Sequence, residues 1–163
     1  MNIVLQIYLE HKNDVIRNIE IDSEKSLEEL HYEIIKSLNL NKHEMASFYM
    51  TDEEFNLLKE IPLFKIDEKE VGACEMKEIS ITSVFPIINS QLIYVYDFMK
   101  MWRFLVTYIS KSENNKDHSN VIYQVGKMPE SETELYFESN NDISENRDEL
   151  EDELEDELED EYY

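Results

Sequence analysis

Residues 3–38 read IVLQIYLEHKNDVIRNIEIDSEKSLEELHYEIIKSL, and the change of period inside this stretch decides the fold class. Ile3, Leu5, Ile7 and Leu9 alternate with Val4, Gln6 and Tyr8, the two-residue period of a strand with one buried face. His11-Lys12-Asn13-Asp14 is a polar turn. Alternation then resumes over residues 15–21, with Val15, Arg17, Ile19 and Ile21 on one face. Two such runs on either side of a short polar turn predict an antiparallel hairpin, with Arg17 as the one charge on an otherwise apolar face. From Ser26 onward the period lengthens. Ser26 and Glu29 have the spacing of a capping box, in which each side chain satisfies an orphan amide at a helix start. Leu27, Leu30, Ile34, Ile35 and Leu38 then form a single apolar helical stripe, and Asn39-Leu40-Asn41 offers its stop.

Further along, residues 46–51 (Phe48, Tyr49 and Met50 at the centre) read as a third strand. Residues 52–59 read as a polar excursion, and 61–64 as a short edge strand, since Pro62 cannot donate to a ladder. A charged loop with Gly72 is expected over 67–78, and 79–85 fits either a strand or a short helix ended by Pro86. Residues 92–98 and 102–109 are rich in β-branched and aromatic side chains, as strands are. The short link Met99-Lys100-Met101 suits a hairpin but lacks the Gly or Asn that tight turns favour. A polar loop at 112–119 and a last strand at 121–125, closing at Gly126, complete the body. The order predicts an α+β domain with a β-β-α-β opening: a mostly antiparallel sheet with one main helix packed on it.

The carboxyl end is of another kind. Residues 142–161 hold thirteen Asp and Glu against one base, Arg147. Such a block repels itself and has little to bury, so a largely disordered acidic tail is expected over 131–163, beside an α+β domain at 1–130. Of the net charge of −23, residues 130–163 carry −16 and residues 1–129 carry −7. Both levels repel a polyanion, so no direct nucleic-acid binding is expected and a basic protein is the favoured partner. Cys74 is the only cysteine, which rules out an intrachain disulfide. The first residues read as a strand rather than a signal peptide. No run approaches eighteen apolar residues, so no membrane span is expected and the cytoplasm is the default address.

Tyr94-Val95-Tyr96-Asp97-Phe98, followed by Trp102, is the most specific segment. With the opening hairpin, the capped helix, the Phe-Tyr strand and Val125-Gly126-Lys127-Met128-Pro129-Glu130, it resembles the plasmid pRiA4b ORF-3-like family, also met as passenger proteins of mobile elements. The resemblance covers roughly residues 3–130. An acidic tail is similar to those of members from the Bacteroidetes group and implies a bacterial source. The family's motif continues Tyr-Asp-Phe with Gly-Asp, a variable residue, Trp, another variable residue and His. Here Tyr96, Asp97, Phe98 and Trp102 match, whereas Met99 and Lys100 stand at the Gly-Asp positions and Phe104 at the His position. The Cys-Pro and Gly-Gly segment of many members is also missing. Because the family is of unknown function, the resemblance implies a fold more than an activity.

Four histidines, His11, His31, His43 and His118, lack the spacing of a metal site, and no metal or cofactor is expected. His31, beside the helix stripe, reads as a half-buried packing residue. Gly72 and Gly126 are the only glycines, which excludes phosphate loops of the P-loop and GxGxxG types. Arg17, Asp97 and Trp102 form the candidate binding surface. Asp97 reads as a carboxylate on the solvent face of a strand or paired with Arg17 or Arg103, and Trp102 as core. The favoured function is a non-enzymatic protein-interaction module. The alternative is a small-ligand receptor or enzyme with its pocket near Asp97 and Trp102.

Overall fold

The computed structural model describes residues 1–65, 72–114 and 118–130. The chain divides into two units, Met1–Met128 and Pro129–Tyr163, and the elements below belong to the first. The expected disordered tail at 131–163 lies outside the described residues, as do parts of the two expected polar loops.

The opening forms as its pattern requires. Strands β1 (Asn2–Leu9) and β2 (Ile16–Asp22) pair antiparallel, with Leu5 opposite Ile19 and Ile7 opposite Arg17. Helix α1 (Leu27–Leu38) starts at the capping box: Glu29 N–H donates to Ser26 Oγ at 3.2 Å, and Ser26 N–H donates to Glu29 Oε2 at 2.9 Å. Asn39 ends it in the left-handed region at φ 55°, a conformation its short polar side chain tolerates. The stripe Leu27, Leu30, Ile34, Ile35 and Leu38 is buried, each side chain contributing about 1.5–3 kcal/mol.

Strands β3 (Ala46–Thr51), β4 (Leu57–Pro62), β5 (Gln91–Tyr96), β6 (Trp102–Lys111) and β7 (Asn120–Val125) join the hairpin. The sheet has seven strands among the described residues, in the order β4-β3-β5-β6-β1-β2-β7, and every pairing is antiparallel. The result is an α+β fold with one main helix. The core lies between α1 and the sheet face carrying Leu5, Ile7, Ile19, Phe48, Tyr94, Phe104 and Val106. Val4, Ile93 and Val95, on the other face, are buried too. This accounts for the unbroken apolar run of β5, since a strand dry on both faces has no polar alternation to show.

Three differences from the sequence pattern have physical reasons. The edge strand β4 begins at Leu57, inside the expected polar excursion, because an edge with exposed side chains from 57 to 60 shows no period. A 3₁₀ turn (Met76–Glu78) sits in the expected charged loop and buries Met76. Residues 79–85 resolve into a bridge at Ser80 and a single turn, α2 (Ile81–Val84). This segment is strapped to the loop before α1: Leu27 N–H donates to Ile79 O, Ile81 N–H to Lys25 O and Thr82 N–H to Ser23 O.

Candidate functional site

The β5–β6 turn, residues 97–101, carries the most specific segment of the chain, and Asp97 builds it. Asp97 has φ 59°, a left-handed conformation that Asp reaches more readily than most residues. Its Oδ1 accepts from Met99 N–H at 3.1 Å and from Lys100 N–H at 3.2 Å. Its carbonyl accepts from Met101 N–H at 2.6 Å, and its own N–H donates to Met45 O at 2.8 Å. Met101 is also left-handed, at φ 54°. Asp97 thus supplies the turn chemistry that the missing Gly or Asn would have provided. The expected solvent-facing or arginine-paired carboxylate is not what forms: Asp97 is 8% exposed, and backbone amides hold its carboxylate. The turn in consequence presents Phe98, Met99 and Met101 outward, Met99 at 93% exposure.

Trp102 stands at the base of this turn, partly buried against the core. Its ring meets His11 edge-on, with centroids 6.0 Å apart. Next to it, Arg103 clips β6 to the β1–β2 turn. Arg103 O accepts from Glu10 N–H at 3.0 Å. The Glu10 carboxylate lies 2.8 Å from Arg103 Nε, off the N–H direction, as an ion pair rather than a hydrogen bond.

Arg17 belongs to the framework rather than to a surface. It is buried on the helix-facing side of β2 and donates to four carbonyls: Ser37 at 2.9 Å, Ile16 at 2.7 Å, Val125 at 2.8 Å and Gly126 at 2.9 Å. Burial lowers its pKa from the usual arginine value. The Ser37 carbonyl sits in the last turn of α1, where the helix dipole favours a cation. Gly126 is itself fixed, at φ +69°, by close approach; a Cβ there would meet Asp14 O at 2.1 Å. Arg17, Asp97 and Trp102 each have separate partners, and no hydrogen bond, ion pair or ring contact among the described residues links the three.

The sequence pattern misses one polar pair. His31 is fully buried rather than half-buried, and its Nδ1 shares a 2.8 Å hydrogen bond with the Tyr94 hydroxyl. Burial lowers the His31 pKa to about 4 and raises that of Tyr94 well above the usual phenol value. His31 Nε2 has no partner, so the neutral ring is the form the core accepts. Phe104, where the family resemblance would put a His, is fully buried, its ring 5.9 Å from that of Tyr94. Among the described residues no three His, Cys, Asp or Glu converge as metal ligands. A cavity of about 280 Å³ on the β2–β7 side is lined by polar residues including Glu33, Lys36 and Gln124. A larger one, of about 420 Å³, lies at the far end of β6 from the turn.

Residues 2–163 match the model of the plasmid pRiA4b ORF-3-like proteins. The chain belongs to the pRiA4b ORF-3-like family. The match runs beyond the expected residue 130 and takes in the acidic segment. The chain also resembles the crystal structure of MM3350, a protein of unknown function from Methanosarcina mazei Go1. Its TM-score is 0.64 at 16% identity, over 93% of this chain and 85% of that one. At that identity the likeness speaks for the fold alone. No curated protein matches the chain.

Proposed function

We propose that this member of the pRiA4b ORF-3-like family is a non-enzymatic protein-interaction module whose contact point is the β5–β6 turn. The observation that carries this reading is the pairing of a fixed backbone with exposed apolar side chains. Hydrogen bonds to Asp97 hold the turn, while Phe98, Met99 and Met101 lie in water. A pre-ordered contact loses little conformational entropy on docking, and methionines adapt to the shape of an apolar cleft. The Asp97 carboxylate is engaged by the turn's own amides, which supports the non-enzymatic reading over a pocket beside Asp97 and Trp102.

The partner that fits is a basic protein, because the charge of −7 on residues 1–129 and −16 on residues 130–163 would steer such a protein towards the chain. The family's association with mobile elements makes a DNA-binding protein encoded beside it the first to test. A cytoplasmic location is part of the same proposal; no helix among the described residues is long and apolar enough to cross a membrane. A photo-crosslinking amino acid at Lys100, on the exposed turn, tests the reading in the native host. An adduct with one defined protein is expected from position 100 and not from the exposed Lys77. Equal adducts from both positions, or none from position 100, would contradict it.

A further inference from the structure

We propose that the cavity at the far end of β6 is a binding site for a small amphipathic carboxylate, an apolar body with one acid group. Its volume, about 420 Å³, lies within the range of small-molecule pockets. Ile3 and Phe85 are buried and line it, while Ile87 and Ile88 line it from the surface at 70% and 46% exposure. Their exposed side chains offer an apolar surface to the body of such a ligand.

The polar groups point to the rest of the ligand. Ser23 and Tyr108 line the cavity and are each only 3% exposed. Neither hydroxyl makes a hydrogen bond to a described residue, and neither oxygen is among the fully enclosed unpartnered atoms, so both are open to a partner. Lys111 also lines the cavity and forms no ion pair with a described residue. Glu113, the nearest acid to it along the chain, makes no ion pair with it, and Asp22, next to Ser23, already accepts from Glu24 N–H at 3.1 Å and from the Met1 amine at 3.0 Å. A carboxylate accepts hydrogen bonds and donates none, so it can take those of Lys111, Ser23 and Tyr108 together. A phosphate or polyanion asks for more positive charge than one lysine supplies on this acidic body.

The walls are pre-formed. Asn89, at φ 73°, donates its N–H to Tyr108 O at 2.8 Å, and Tyr108 N–H donates to Ser90 O at 3.0 Å, which ties the Ile87–Ile88 turn to β6. On the other side, Thr82 N–H donates to Ser23 O at 2.8 Å.

Octanoate and octanol, titrated into the full chain and followed by isoleucine methyl resonances, test the proposal. Octanoate is expected to shift Ile3, Ile87 and Ile88 saturably, with octanol at least about 10-fold weaker, in line with the added strength of charge-assisted hydrogen bonds. Lys111→Glu should weaken octanoate about 10-fold and leave octanol unchanged. Ile88→Glu, at an exposed position that leaves the fold intact, should abolish both. Octanol binding as tightly as octanoate would overturn the acid-specific site. Shifts centred on Ile122 instead, or no saturable shift at millimolar octanoate, would overturn the site itself.

Discussion

The two ends of strand β6 handle their polar groups in opposite ways. At its start the Asp97 carboxylate is bound to the amides of the turn it shapes, and the side chains left in water are Phe98, Met99 and Met101. At its end Ser23 and Tyr108 keep unpaired hydroxyls beside an apolar cavity. The ten residues of β6 set these ends about 30 Å apart. A convex apolar point suits another macromolecule, and a concave site with free hydroxyls suits a small one. Between them lies a framework of Arg17, His31 and Tyr94 whose buried polar atoms serve the fold.

That division can be broken at the framework, where the largest effects are expected. Arg17→Met should destabilise the chain by about 3 kcal/mol or more, because four part-buried hydrogen bonds from a charged donor are lost, at about 1–3 kcal/mol each. Arg17→Lys should not rescue it, since an ammonium cannot reproduce the planar fork. Chemical denaturation checks this, and a loss under about 1 kcal/mol would place Arg17 outside the framework.

His31 predicts a pH dependence of nearly the same size. Its pKa is about 4 when folded against an ordinary 6.5, so as pH falls the unfolded chain takes up the proton first. Stability present above pH 6.5 is lost down to about pH 4, by roughly 3 kcal/mol from this group. His31→Gln, which can keep a hydrogen bond to Tyr94, should show a shallower decline over that window. Parallel curves for the two proteins would contradict the buried neutral imidazole.

The turn comes next. Asp97→Ala should cost about 2 kcal/mol, combining left-handed strain with the lost amide hydrogen bonds. Asp97→Asn should stay within about 0.5 kcal/mol, since Asn keeps an acceptor and tolerates the conformation. The smallest stability effect belongs to Met99→Glu with Met101→Glu, within about 0.5 kcal/mol because both side chains are exposed; a larger loss in thermal unfolding would mean that they pack.

Much of the framework is legible in the chain. Ser26 and Glu29 mark the helix start, and the alternation of Ile3, Leu5, Ile7 and Leu9 marks β1, because these signals are local. Arg17 stands out in sequence as a charge on an apolar face, but its four acceptors come from β2, the end of α1 and the end of β7, which only the fold brings together. Asp97 reads as a strand residue because it follows five apolar ones; its left-handed conformation depends on Met45 and the turn beyond. Leu57 and Leu58 misread for the opposite reason, since an exposed edge leaves no period to detect. Ser23, Tyr108 and Lys111 are far apart in sequence and carry no shared motif, so the cavity had no sequence signal.

The central claim is that the β5–β6 turn works through its apolar side chains and that Asp97 only shapes it. Photo-crosslinking from Lys100 in Asp97→Asn and in Met99→Glu with Met101→Glu tests this directly, with folding checked for each. Full adduct yield in the first and loss of the adduct in the second is the expected result. Loss of the adduct in a fully folded Asp97→Asn, with the methionine variant unaffected, would make the carboxylate itself the site and contradict the account.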